Sequence, residues 1–300
     1  MAPIGEISQR EISSDTLNRA RARAALVPDL LVEAKRVANT VFTGWHGRRK
    51  RGIGENFWQF RPYNPGEALA KIDWRRSARD EHNIYVQDKE WQATHTVWIW
   101  VDESQSMLFK SEQATVSKHS RELVLAFALS ELLARSGERV GWLGLTEPIL
   151  SRNAAERLAE ALTQSVPQTK ISDTLNLKSS SEVVLISDFL NPVEETKTLW
   201  KNITNLGGRG HAIQIIDPVE ETFPYTGRVE FTDPETGSKF TSNNAKSLQS
   251  NYEAEFSNHT KELGSLAKSI GWSHISHHTD RLASQALASL HNYLTFHGDL

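Results

Sequence analysis

Not one cysteine occurs in the 300 residues. That excludes a disulfide framework and any thiolate metal centre, and it agrees with a reducing compartment. Long hydrophobic runs are missing as well: no stretch approaches the roughly 18–20 uncharged apolar residues that a membrane-spanning helix needs. The start lacks the basic-then-apolar pattern of a secretory signal. Residues 19–25 are Ala/Arg-rich like an organelle transit peptide, but Glu6, Glu11 and Asp15 speak against one. A cytoplasmic location is therefore expected. A marked excess of one sign of charge is also lacking, and a formal net charge of -3 gives no bulk attraction for a polyanion. Nor is there a G-x-x-x-x-G-K phosphate loop, a G-x-S-x-G nucleophile elbow or an H-E-x-x-H metal pair.

With 38% apolar residues the chain can bury a substantial core. Leu30, Leu31, Ala34, Val37, Ala38 and Val41 recur at helical spacing, with Pro28 near the start and Gly44 past the end, so an amphipathic helix is predicted in residues 1–44. Residues 45–95 change to aromatic, basic and turn residues with short strand-like pieces near 57–60 and 84–86, which reads as a small β-rich subdomain. Strands are then predicted at 96–101, 139–145, 183–187, 211–216 and 272–277. They alternate with helices at about 115–136, 152–165, 194–206, 244–269 and 280–295. Such alternation over 96–300 predicts an α/β domain: a doubly wound, mostly parallel sheet with helices on both faces. Residues 228–240 interrupt it as a hairpin turning at Asp233–Gly237.

The apolar run Thr96–Val101 leads straight into Asp102-Glu103-Ser104-Gln105-Ser106. One carboxylate and two hydroxyls thus leave a buried strand end together, and a hard cation such as Mg²⁺ takes oxygen ligands of this kind. Val183–Ile186 likewise leads into Ser187-Asp188. On adjacent parallel strands, Asp102 and Asp188 would share the carboxyl edge where open α/β sheets bind ligands. A capping arrangement without metal is the competing reading of Asp102, Ser104 and Ser106. Asp217, before Pro218, is expected to be a structural cap. Phosphoryl-transfer enzymes with an aspartyl nucleophile place an acid two residues later, but here that position is Ser104, whose hydroxyl cannot protonate a leaving group near neutral pH. A largely neutral ligand set suits docking instead, because the cation stays electrophilic and takes an acidic side chain from a partner.

Residues 48–79 and Asp80 hold nine cations against four acids, a local excess of +5, interleaved with aromatic residues. Three uses are open. The segment can bind single-stranded nucleic acid, meet an acidic patch of a protein partner through Arg61, Arg75, Arg76 and Arg79, or lock the subdomain internally, with Asp73 pairing Arg61 and Arg75. Of these, nucleic acid is the least favoured. His274, His277 and His278 lie on a predicted strand. Alternation puts His274 and His278 on one face, too few ligands for zinc, so surface histidines are expected.

Several motifs carry a family resemblance. Gly52-x-Gly54-Glu55-Asn56-Phe57, Arg61-x-Tyr63-x-Pro65-Gly66-Glu67, Ile72-Asp73-Trp74-Arg75-x-Ser77-Ala78-Arg79 and Val97–Met107 look like the bacterial "domain of unknown function 58" family. Ser187-Asp188-Phe189, Asp217-Pro218 and the Asp233–Gly237 hairpin extend the likeness, and the Asp102-x-Ser104-x-Ser106 turn resembles the metal-ion-dependent adhesion site of von Willebrand factor A domains. The resemblance implies a von Willebrand A-like domain with a β-rich insertion, no established enzymatic activity, and association with MoxR-type AAA+ ATPases. It also implies a Mg²⁺ site of Asp102, Ser104, Ser106 and Asp188, completed by a threonine from a third loop. Thr169 is the first candidate, with Thr174 and Ser151 as others. The expected function is a non-enzymatic interaction module that docks an acidic residue of a partner. A metal-dependent hydrolase at the same edge and nucleic-acid binding through 48–79 are the alternatives.

Overall fold

The computed structural model describes residues 25–43, 59–63, 72–80, 83–88, 95–165, 171, 177 and 181–296. The chain forms two compact units, one of Met1–Gly44 with His95–Leu300 and one of Trp45–Thr94.

The larger unit is built on β3 (Thr96–Val101) and β6 (Glu182–Ser187), following helix α1 (residues 25–43) and the smaller unit's β1 (Gln59–Pro62), α2 (Trp74–Ser77) and β2 (Tyr85–Asp88). Both β3 and β6 are nearly continuous apolar runs buried on two faces, the pattern of a central parallel strand. After β3 come α3 (Lys118–Arg135), β4 (Arg139–Trp142), β5 (Thr146–Ile149) and α4 (Ala154–Gln164). After β6 come α5 (Val193–Asn205), β7 (Arg209–Ile216), α6 (Pro218–Thr222), β8 (Val229–Thr232) and β9 (Lys239–Ser242). The described chain ends with α7 (Gln249–Ser269), β10 (Ser273–His278) and α8 (Ala283–Phe296). The six-stranded sheet runs β10-β7-β6-β3-β4-β5, parallel throughout except for the β4–β5 edge.

Period-two alternation along β3 sorts its side chains into two cores. Val97, Ile99 and Val101 join the first core with α1, α3, α4 and α8, whereas Trp98 and Trp100 join the second with Trp200 of α5, Leu263 of α7 and Trp272. α3 is buried from Arg121 to Ala134 with no polar face, because it lies between the sheet and other helices. α1 buries Val27, Leu30, Ala34 and Ala38 in the first core, so the segment that the sequence set apart as 1–44 belongs to the α/β unit.

Two elements differ from expectation. The run 139–145 is not one strand: Gly144 at φ 75 turns the chain, and Thr146 pairs back antiparallel with Trp142 as edge strand β5. α6 was not anticipated. Its signal was present, since Asp217 and Glu220 form a capping box around Pro218 at the first helical position. The smaller unit pairs β1 with β2 antiparallel, Gln59 opposite Asp88, and Asp73 caps α2.

The tightest approach in the sheet is at Gly210 of β7, where an added Cβ would stand 2.1 Å from Cδ2 of Trp272. That indole is stacked on Trp200 at 5.1 Å and donates from Nε1 to Thr204 Oγ1 at 3.0 Å, so it has no room to retreat. Gly210→Ala is expected to cost about 2–3 kcal/mol through overpacking. Urea unfolding checks this, and an unchanged midpoint would show that the ring yields freely.

Candidate functional site

The β3–β6 ladder continues one residue beyond the strands, Asp102 N–H donating to Ile186 O at 3.0 Å, and this sets two loops side by side at the carboxyl edge. Asp102 Oδ1 accepts from Ser104 N–H at 3.0 Å and Oδ2 from Ser187 Oγ at 2.7 Å. Ser104 Oγ lies 3.1 Å from Ser106 Oγ, and Ser106 Oγ donates to Asp188 Oδ2 at 2.7 Å. Asp102 and Asp188 are buried while the two serines are half-buried. The edge is therefore assembled from the four residues that the sequence singled out, with Ser187 binding the two loops together. The turn after Asp188 needs Phe189 at φ 50, a left-handed conformation costing on the order of 1 kcal/mol in a non-glycine residue. Burial of its ring edge-on against Trp200, and a 2.7 Å contact of its carbonyl with His259 Nε2, hold it there.

Sequence reasoning missed Lys118. It is the first residue of α3, preceded by the N-cap Ser117, and it is wholly buried. Its Nζ donates to Asp188 Oδ2 at 2.9 Å and to Glu220 Oε1 at 2.5 Å. Burial alone would depress the ammonium pKa, but the carboxylates of Asp188 and Glu220 outweigh it and the net direction is upward. Glu220 is itself raised by burial, against the pull of Lys118. Its other oxygen accepts from Asp217 N–H, and Asp217 in turn accepts from Val219 and Ser111 N–H. Asp217 is thus the cap expected of it. A lysine in a Ser-Lys-His-Ser helix start ordinarily reads as solvated, and only the tertiary fold shows what it faces.

Glu122 was also missed. It is fully buried in α3, accepts from Asp102 N–H at 3.2 Å through Oε2, and meets His119 Nδ1 at 2.6 Å through Oε1. Burial, followed by the neighbouring Asp102 and Glu103 carboxylates, pushes its pKa well above the usual carboxylate range. Asp102 is raised by burial and by Asp188, with Ser187 and Ser104 opposing. A third residue, Glu235, reaches the edge from the β8–β9 hairpin: its Oε1 accepts from Ser106 N–H at 2.8 Å. The hairpin was legible in the sequence, but its docking across 129 residues was not.

The donor set fits a hard cation. Ligands at about 2.1 Å in cis positions of an octahedron lie about 3.0 Å apart, close to the 3.1 Å between the Ser104 and Ser106 hydroxyls. Asp102 oxygens retain lone pairs beyond the hydrogen bonds they accept. Asp188 is already paired with Lys118, so the ligand charge is low. Among the described residues no group of three or more His, Asp or Glu is placed to hold a metal without hydroxyls. Thr169 and Thr174 lie outside the described residues. Ser151 accepts from Asn153 N–H at the start of α4.

In the smaller unit Arg75, Arg76 and Arg79 are exposed, and the side chain of Arg61 lies outside the described residues. The carboxylate of Asp73 accepts from Arg76 N–H as the α2 cap, its expected partner Arg75 is exposed, and the expected pairing with Arg61 lies outside the described residues. Arg76 lies over the Tyr85 ring at 5.4 Å. The expectation of surface histidines fails for His277, which is 3% exposed and whose pKa falls to about 3 through burial and nearby cations. His278 pairs with Glu221.

The chain belongs to the family described as "Protein of unknown function DUF58", whose pattern matches residues 59–262. It is 25% identical over 237 residues to an uncharacterized protein of Mycobacterium tuberculosis and, to the same extent, to one of Mycobacterium bovis, covering 71% of each chain. Among solved structures it is similar to the hypothetical protein BatB of Bacteroides thetaiotaomicron (14% identity, TM-score 0.42, 67% of this chain and 99% of that one). It is also similar to an aerotolerance-related membrane protein of Bacteroides fragilis (14% identity, TM-score 0.40, 66% and 97%). No helix among the described residues is long and apolar enough to cross a membrane.

Two outcomes follow from the buried charges. Lys118→Met leaves Asp188 and Glu220 without their ammonium and is expected to cost about 3–5 kcal/mol, read as a fall in the urea midpoint. A loss under 1 kcal/mol, the range of exposed pairs, would show that water reaches the carboxylates. Glu122, with its folded pKa raised, contributes stability that is full below its ordinary pKa of 4.5 and is lost as pH rises through the folded value. Glu122→Gln should therefore gain on the wild type in melting temperature as pH rises from 5 to 9. A pH-independent difference would contradict the assignment.

Proposed function

We propose that this DUF58 protein is a non-enzymatic interaction module whose sheet edge holds Mg²⁺ and docks an acidic residue of a partner. The observation that carries the reading is the pair of converging hydroxyls, Ser104 and Ser106, flanked by two buried carboxylates from neighbouring parallel strands. Asp102, Ser104, Ser106 and Asp188 would hold the cation, which would supply a Lewis-acidic position for an incoming carboxylate. The protein's own groups orient it: Ser187 and Ser104 N–H fix Asp102, while Lys118 fixes Asp188.

The low anionic count favours docking over hydrolysis. General acid catalysis needs a proton donor within reach of substrate, and the carboxyl with the strongly raised pKa, Glu122, is fully buried against Asp102 N–H and His119. The resemblance to von Willebrand A adhesion sites supports the same reading. The likeness to the DUF58 family suggests a MoxR-type AAA+ ATPase as partner, and the lack of cysteine agrees with a cytoplasmic setting. In the smaller unit, exposed Arg75, Arg76 and Arg79 favour an acidic patch as a partner surface.

Asp102→Ala should abolish the heat of Mg²⁺ binding in calorimetric titration and the chelator-sensitive capture of the ATPase. The fold should hold, since Asp102 sits desolvated beside Asp188 and losing one of two neighbouring charges relieves repulsion. Its melting temperature without metal is expected to equal or slightly exceed that of the wild type. Equal, chelator-insensitive binding by both proteins would overturn the metal-docking reading.

A further inference from the structure

The β8–β9 hairpin adds little to either core. Its strands are four residues each, and every residue from Thr232 to Thr241 is exposed. Its foot is aromatic: Phe231 stacks on Phe223 at 5.5 Å, which packs against Tyr252 of α7 at 4.6 Å. The tip is closely hydrogen-bonded. Asp233 accepts from Glu235 N–H at 2.9 Å and from Thr236 Oγ1 at 2.5 Å, Gly237 N–H returns to Asp233 O, and Gly237 takes φ 70. The hydrogen bond from Thr236 holds the Asp233 pKa below the usual range, so the tip is set at neutral pH. This scaffold presents one side chain to the sheet edge, Glu235, whose carboxylate sits on Ser106 N–H.

The same edge carries exposed apolar residues. Leu108 and Phe109 directly follow the Ser106 turn and Leu190 follows Asp188, with exposures of 47%, 38% and 44%. Exposed leucine and phenylalanine beside a buried ionic cluster resemble the mixed make-up of protein interfaces, where an apolar centre adjoins polar groups.

From this we infer that Glu235 is an internal stand-in for the partner's acidic residue. The partner is a protein loop presenting a carboxylate with an apolar flank, and it docks by exchanging its carboxylate for Glu235 on Ser106 N–H while its flank covers Leu108, Phe109 and Leu190. The inference rests on the proposed docking function of this edge. It adds the chemistry of the ligand and a built-in competitor: the hairpin weakens the binding of simple anions and yields most readily to a loop that also gains apolar contacts. An exchange of this kind lowers apparent affinity by the fraction of molecules in which the internal carboxylate is away.

Acetate serves as the carboxylate probe, titrated into the full ¹⁵N-labelled chain in Mg²⁺ buffer against chloride at equal ionic strength, with the Ser106 amide resonance as readout. Glu235→Ala removes an exposed side chain, so the melting temperature should stay at the wild-type value. The Ser106 amide of the variant should then titrate at roughly tenfold lower acetate than the wild type or less, the gain expected if Glu235 is seated at least nine-tenths of the time. Glu235→Gln, which keeps the shape and loses the charge, should fall between the two. Equal titration in wild type and Glu235→Ala would overturn the exchange while leaving a carboxylate-binding edge. Absence of any acetate response at Ser106 in both proteins would overturn the exchange together with the docking reading.

Discussion

A wholly buried ammonium, Lys118, holds the functional edge in its present form. Taking a charge out of water costs several kcal/mol, and the cost is met only when partners are close and well oriented. Asp188 and Glu220 meet that condition at 2.9 and 2.5 Å. Because Asp188 directly follows β6 and Glu220 lies in α6 directly after β7, one side chain at the start of α3 ties together the ends of two strands. Ser106 adds a third, donating from the loop after β3 to the same Asp188 oxygen that Lys118 uses. Phe109 closes over the ammonium at 6.0 Å. Breaking this node would release three loops at once.

Around that node the charges are arranged so that few of them are free. Burial favours the protonated form of Glu122, Asp188 is paired with Lys118, and Asp217 accepts from the N–H groups of Val219 and Ser111. Asp102 retains lone pairs beside two hydroxyls that are half-open to solvent. A cation held this way would keep much of its charge for an external ligand, which is the physical ground for the proposed docking of an acidic residue. The edge is rigid where it must be. β3 and β6 are buried on both faces, and the strained Phe189 is held by Trp200 and His259.

Much of this was legible in the amino-acid order. Apolar runs ending in Asp102 and Asp188 placed both carboxylates at one sheet edge, because strands buried on both faces read as continuous hydrophobic stretches and helices between them force a parallel order. The serines at 104 and 106 followed from their spacing in one turn. What stayed hidden is what depends on distance along the chain. Lys118, Glu122 and Glu235 have ordinary local surroundings, and their roles arise from contacts spanning 70, 20 and 129 residues. Asp73 shows the converse: its place beside arginines suggested an ion pair, yet the nearest unsatisfied donor, Arg76 N–H at a helix start, claimed its carboxylate. His277 was misplaced because alternation tells which residues share a face and not which face is covered.

Anomalous diffraction from crystals grown with Mn²⁺, which shares the octahedral oxygen preference of Mg²⁺, tests the central claim most directly. The account predicts a single strong peak at the edge within about 2.2 Å of Ser104 Oγ and Ser106 Oγ, with Lys118 still on Asp188. A map with no peak there at saturating Mn²⁺, the two hydroxyls still hydrogen-bonded to each other and to Asp188, would contradict it. In that case Lys118 would be the only cation the edge is built to hold.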